Sequence, residues 1–500
     1  MATSPDKIIG SVMKKAQARW PDPGAARQVV QWLNARNDEL RILCDTSNAM
    51  GHYATTINIM RRMIDMGFRG TIRIFIYMSD FSSQDKLEML IPGFVRGKDT
   101  NLPKDQIFSG VKLTFSWADG KPVKTPATLL ICGGSEVTKE PMIKERARIC
   151  NVKYYLQLQP YAWEKGNNFL WQTGSQTLTS LDGQASIGGA AFNAHGFYQV
   201  DPAYGEAIWN LYGSLERFKE VVAKAKIVQQ MENRLFFSPV YGVDTRASLS
   251  DSLFNLCAAM VTFQDTLAEH QSARPMLLVA FYDLTETWDP LRALLDGSSA
   301  RLPENLSRYL EQKPISDRVL FFREDSTKLA AALNSLKPNQ LMILPMKGTP
   351  SDIFNWFYYR AFVPGTFEGR GTLNPALNQG HPYFCIDTRT AYPNSAGFGT
   401  LTSDIGDRVV ADGVYQLVTA VRGYGRLQPE AFPFMRLAGA MFNLTYPKQS
   451  PFLPYFQALR KLFHNQQTDK LSLALRFLAE TCKIPLIPPE QVAGGEGGEA

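Results

Sequence analysis

Short runs of β-branched and aromatic residues, each followed by a stretch with helical spacing, recur along most of this chain. Residues 40–44 read Leu-Arg-Ile-Leu-Cys, residues 71–77 Thr-Ile-Arg-Ile-Phe-Ile-Tyr, residues 111–117 Val-Lys-Leu-Thr-Phe-Ser-Trp and residues 128–132 Thr-Leu-Leu-Ile-Cys. Runs of this length and composition, bounded by turn residues, are strands covered on both faces. Residues 53–66 put Ile57, Met60 and Ile64 on one helical face, and residues 153–159 alternate before Pro160. A second series follows, with strands at 276–282, 318–322, 340–344 and 382–386 and helices at 326–336 and 350–360. Strands interleaved with helices predict an α/β fold with mainly parallel sheets. Five hundred residues exceed what one core supports, so two or three domains are expected.

The flanks are helical in pattern. Residues 1–36 form an N-terminal helical extension in which Ile8, Ile9, Val12 and Met13 make an apolar stripe beside Lys14, Lys15 and Arg19. That stripe packs against the body in preference to a membrane, because the basic cluster is small. Residues 37–240 are expected to be one α/β domain and 241–440 another, with 441–490 as C-terminal helices and 491–500 as a flexible tail. The stretch 212–270 reads as the helical crossing between the domains, interrupted at 238–242.

Composition excludes several classes. The 53 basic and 47 acidic residues leave a net charge of +6, too mild for a dedicated nucleic-acid binder. It suits an anionic small ligand or weak attraction to an acidic membrane face. No apolar run approaches the roughly 20 residues of a membrane span, and no signal-peptide core follows the start. The six cysteines are scattered without a CxxC pair. Cys44, Cys132 and Cys385 lie on or beside buried strands, which predicts structural thiols in a reducing, cytoplasmic setting; secretion without a cleaved signal stays open.

The stretch richest in chemistry is 362–384. It carries one carboxylate, Glu368, followed at once by Gly369 and Gly371, a short helix over 372–378 stopped by Gly380, and a strand. A bare helix N-terminus beside glycines is an anion site, since its unpaired N–H groups and dipole favour phosphate. A carboxylate just upstream can accept from vicinal sugar hydroxyls. Together they suit a ribose diphosphate.

Glu-Gly-x-Gly-Thr-Leu-x-x-Ala-Leu-x-x-Gly-x-Pro, here residues 368–382, resembles the donor-site signature of GT-B glycosyltransferases. The resemblance implies two facing Rossmann-like domains (the GT-B architecture) with N-terminal and C-terminal helical extensions, residues 37–240 being the acceptor side and 241–440 the nucleotide-sugar side. It places Glu368 on the donor ribose and the backbone of Gly369, Arg370, Gly371, Thr372 and Leu373 on the diphosphate. Many retaining members carry a second Glu seven positions on; Pro375 stands there, which favours inversion.

Further candidates lie at other strand ends, where parallel sheets bind ligands. Asp45-Thr-Ser-Asn-Ala-Met-Gly-His52 follows the first strand and resembles the Gly-His turn of GT-B acceptor domains. His52 can take a proton from an acceptor hydroxyl, with Asp45 as its orienting partner or the alternative base; Asp80 is a weaker candidate. Lys347 and Gly348 follow the strand at 340–344, and Lys347 or Arg370 can neutralise a diphosphate. Thr285 and Thr287, after the strand at 276–282, can donate to it. Phe321 and Phe322 suit a stacked base or, more simply, the core. His195, His270, His381 and His464 lie in contexts without such company.

No Asp-x-Asp, Walker A or Gly-x-Gly-x-x-Gly occurs, and no His/Cys cluster suggests zinc. The expectation is a metal-independent, inverting glycosyltransferase. It would use a nucleotide-sugar co-substrate, no other cofactor, and a protein, glycan or small-molecule acceptor. A nucleotide-sugar epimerase and a non-catalytic GT-B-like binding protein are the alternatives.

Overall fold

In the computed structural model, the described residues are 4–17, 24–45, 50–98, 102–133, 135, 137, 139–158, 168–181, 202–244, 248–270, 272–386, 408–421, 427, 432–445, 452–463 and 469–484. They divide into two compact units, residues 1–204 with 461–500, and residues 205–460. The tail at 491–500, His195, His464 and the side chain of Arg370 lie outside the described residues.

The first unit begins with helices α1 (Pro5–Gln17) and α2 (Ala25–Ala35). Then follow β1 (Leu40–Cys44), α3 (Met50–Asp65), β2 (Ile72–Ile76), α4 (Ser83–Leu90), β3 (Gln106–Phe108) and β4 (Val111–Trp117). The series continues with β5 (Ala127–Gly133), α5 (Glu140–Ile149), β6 (Val152–Leu158), β7 (Phe169–Gln172) and β8 (Thr179–Ser180). The sheet runs β3-β4-β2-β1-β5-β6-β7-β8. Its five central strands are parallel, while β3, β7 and β8 add antiparallel edges. Chain order therefore reverses between β1 and β5, the switch point of a Rossmann-like sheet. Every residue of β1 and β5 is buried, as the near-continuous apolar runs of a doubly covered sheet require.

The second unit carries helices α6 (Pro202–Gly213) and α7 (Glu216–Gln230), then β9 (Phe236–Tyr241), α8 (Leu249–Glu269), β10 (Met276–Ala280), α9 (Trp288–Leu295) and α10 (Glu304–Gln312). After these come β11 (Val319–Phe321), α11 (Ser326–Ser335), β12 (Leu341–Pro345), α12 (Ser351–Arg360), β13 (Gly365–Phe367), α13 (Arg370–Gln379) and β14 (Tyr383–Cys385). The order is β11-β12-β10-β9-β13-β14, parallel throughout, with the switch point between β9 and β13. Helix α8 is buried along almost its whole length, packed by the helix Pro433–Thr445.

Two expectations are corrected. The interruption at 238–242 is a strand and its turn, not a loop within a helical crossing: residues 238–241 lie in β9, a central strand. Pro239 disguised it, since proline is excluded from most sheet interiors. The carbonyls of Phe237 and Tyr241 point toward the β13 side, accepting from Val363 and Glu368. Pro239, between them, turns its missing donor the same way, where β13 opens only at Gly365 and Ser238 Oγ donates instead to the Pro364 carbonyl at 2.9 Å. The unit boundary falls at 204/205, not 240/241: α7 packs on α11, Tyr212 OH donates to Asp352 at 2.8 Å, and β9 pairs with β10.

The terminal segments are not separate bodies. The helix Lys470–Thr481 packs on α2 and β6 of the first unit, and Arg62 of α3 meets Asp469 at 3.2 Å with both side chains buried. The helix Pro433–Thr445 belongs to the second unit. No helix among the described residues is long and apolar enough to cross a membrane.

Candidate functional site

All six strands of the second sheet run parallel, so the turns after them share one edge. At its switch point the turns after β9 and β13 touch. The Glu368 amide donates to the Tyr241 carbonyl at 3.3 Å. Gly242 has φ of 72°, and a Cβ there would lie 2.9 Å from Glu368 Cβ. Only glycine admits this approach. Glu368 is half-buried beside it.

Gly369 follows with φ of 101° as the N-cap of α13. A Cβ on it would meet nothing within 4 Å, so the space in front of the helix start is open. Helix α13 starts at Arg370, two residues earlier than the spacing predicts, and ends at Gly380 in the left-handed region. Thr372 is half-buried and Leu373 fully buried. Glu368 and Gly369 thus stand directly before the start of α13.

The neighbouring turns supply polar groups in a different arrangement from the expected one. Asp283 accepts from Thr285 N at 3.1 Å and Thr285 Oγ1 at 2.7 Å, and from Lys347 Nζ at 3.1 Å. The Thr285 bonds, then Lys347, pull the Asp283 carboxyl down to about 2. Thr285 and Lys347 are therefore joined to Asp283 and not turned to an empty space. That ion pair is exposed on both sides, so it is weak and exchangeable. Gly348 has φ of 72° with nothing within 4 Å of a Cβ. Tyr282 OH accepts from Val243 N at 2.6 Å and donates to Asp244 at 3.1 Å, tying the turns after β9 and β10. Burial, then the Asp244 and Glu368 charges, raises the Tyr241 phenol. Phe321 stacks on Trp288 at 4.3 Å, and Phe322 is buried.

The first unit has its own strand-end cluster at the β1/β5 switch point. Asp45, 6% exposed, directly follows β1. Arg146 of α5 donates to Asp45 Oδ1 at 2.6 Å and to Ser135 Oγ at 2.8 Å. Burial works against the Arg146 charge, but the guanidinium is raised on balance and stays charged beside Asp45. Asp45 is thus held by Arg146 in a buried ion pair. His52 is half-buried on the first turn of α3; residues 46–49 lie outside the described set. Asp80 is held by Tyr53 OH and Lys86 Nζ, both at 2.7 Å. Burial works against its charge, and the Lys86, Tyr53 and Ser82 bonds win, lowering its carboxyl.

Sequence reasoning missed Arg146, Asp244, Tyr282 and Asp283. Arg146 sits in a charged helical run, where nothing local distinguishes it from a solvated residue. Gly242 ends an apolar run and carried a usable signal, the same strand-then-glycine pattern as Glu368-Gly369. Among the described residues, no three His, Cys, Asp or Glu side chains are grouped to hold a metal ion.

No family model matches the chain, and no curated protein matches it. The crystal structure of alpha,alpha-trehalose 6-phosphate synthase from Burkholderia multivorans is similar over 93% of this chain and 99% of that one, at 10% sequence identity and a TM-score of 0.33.

Proposed function

We propose that the chain is a nucleotide-sugar-dependent glycosyltransferase, with the second unit binding the donor and the first the acceptor. One observation carries the donor reading. At the β9/β13 switch point a half-buried carboxylate, Glu368, stands next to Gly369 and the open first turn of α13. Open parallel sheets bind ligands at such points, and a helix start with a neighbouring hydroxyl acceptor matches a ribose diphosphate in charge and geometry. The amides of residues 370–373 would stabilise the leaving diphosphate, and Lys347 would join them by exchanging Asp283 for phosphate.

His52 would take the acceptor proton as the nucleophile attacks the anomeric carbon in a single, inverting displacement, the nucleoside diphosphate leaving with the bond electrons. Asp45, held by Arg146, would orient the His52 imidazole. A thermal-shift screen with UDP-, GDP- and dTDP-sugars tests the donor site, since a ligand that prefers the folded state raises apparent stability. A stabilising sugar nucleotide whose effect vanishes in Glu368→Ala is the expected result. No response to any of them, with wild-type folding intact, would sink the reading.

A further inference from the structure

Lys347 already holds an anion, and that anion is part of the chain. Asp283 Oδ1 accepts from the Thr285 amide at 3.1 Å and the Thr285 hydroxyl at 2.7 Å, and Oδ2 accepts from Lys347 Nζ at 3.1 Å. With one oxygen fixed by Thr285, the other has little freedom to turn away from the ammonium. The Thr285 bonds, then Lys347, hold the carboxyl at about 2, so Asp283 is fully charged near pH 7.

A chain of contacts ties this pair to the second unit's switch point. Tyr282, the residue before Asp283, accepts from Val243 N at 2.6 Å and donates to Asp244 at 3.1 Å. Gly242, the residue before Val243, would bring a Cβ to 2.9 Å from Glu368 Cβ. The turn after β13 thus touches the turn after β9, which is bonded to the turn after β10, which is paired with Lys347 after β12. Beside Lys347, Gly348 has φ of 72° and a Cβ there would meet nothing within 4 Å.

Stability does not account for the pair. Lys347 and Asp283 are 70% and 52% exposed, where an ion pair adds little, and the Thr285 bonds already close the turn. What the carboxylate changes is the cost of bringing another anion to Lys347. The incoming group has to break the pair and then bind beside a fixed like charge.

We infer that Asp283 is a resident competitor for the donor's diphosphate: it occupies Lys347 until the ligand arrives and reclaims it as the nucleoside diphosphate leaves, which loosens the hold on the product. The inference rests on the proposed donor reading.

Isothermal titration of UDP and GDP into wild type, Asp283→Asn and Asp283→Ser tests it. Asparagine and serine both keep a side-chain oxygen for the Thr285 amide, so the turn survives while the charge goes. Both variants should bind the diphosphate about 3–10-fold more tightly than wild type at about 50 mM salt, with the melting temperature kept. The gain should shrink at about 500 mM salt, where exposed charges are screened, and it should be smaller for UMP, which carries less charge. Equal or weaker binding by both variants would overturn the inference and leave the donor reading intact. A gain indifferent to salt would overturn it too, since it would come from shape and not from charge. Loss of the fold in both variants would make Asp283 a structural turn residue, with the same result. No binding by wild type or either variant removes the donor reading, and the inference falls with it.

Discussion

Gly242 and Glu368 lie so close that any side chain on the first would collide with the second: a Cβ at 242 would sit 2.9 Å from Glu368 Cβ and 3.1 Å from its amide nitrogen. The contact joins the ends of β9 and β13, the two strands between which the order of the second sheet reverses. Gly242→Ala adds this collision to a φ of 72°. We expect a loss of about 1–3 kcal/mol in urea unfolding. The displaced carboxylate should also abolish the thermal response to whichever sugar nucleotide stabilises the wild type.

Lys347 and Asp283 make the opposite kind of pair. Their side chains are 70% and 52% exposed, so Lys347→Ala should change stability by less than about 0.5 kcal/mol. Binding of a nucleoside diphosphate should weaken by about 5–20-fold as a phosphate partner is lost. Isothermal titration with UDP and GDP compares the variants; equal affinity would remove Lys347 from the donor site.

Arg62 and Asp469 tie the chain's C-terminal helix to α3, with side chains 1% and 8% exposed. Ser472 Oγ also donates to Asp469. Asp469→Ala would remove one buried, charge-assisted partner of the guanidinium, at a cost of about 1.5–3 kcal/mol. Denaturant unfolding should show the first transition shifted. A change under about 0.5 kcal/mol would remove this contact from the account of how the segment is held.

His381 carries a pH dependence with a definite sign. Burial, then the Arg360 and Arg460 charges, lowers its imidazole to about 4. The unfolded chain therefore binds a proton that the folded one refuses between about pH 6.5 and 4. Stability is fullest above pH 6.5, falls on acidification through that window and levels off once the folded form protonates. The ring keeps some surface, which holds the loss to about 1–3 kcal/mol. His381→Gln should flatten this limb in melting curves taken from pH 7 to 4.

Much of the architecture is legible locally. β1 and β4 have the bounds that their apolar runs predict, and α13 stops at Gly380 as expected. The short edge strands β3, β7 and β8 carry too few residues for a pattern. β9 was hidden by Pro239, whose tolerance depends on a neighbouring strand that begins 126 positions later, at Gly365. Of the site, Glu368 and Gly369 can be read from spacing, because a turn and the helix after it are local.

What the residues by themselves determined is the alternation of buried strands and helices, and the turn chemistry at 368–380. Those follow from side-chain periodicity and glycine's access to positive φ. The tertiary structure decided which strand ends became neighbours. It brought Arg146 to Asp45 across 101 positions and gave Lys347 to Asp283 across 64. Strand order is set by how crossover helices pack on the sheet, a property of the whole unit that no short stretch of chain encodes.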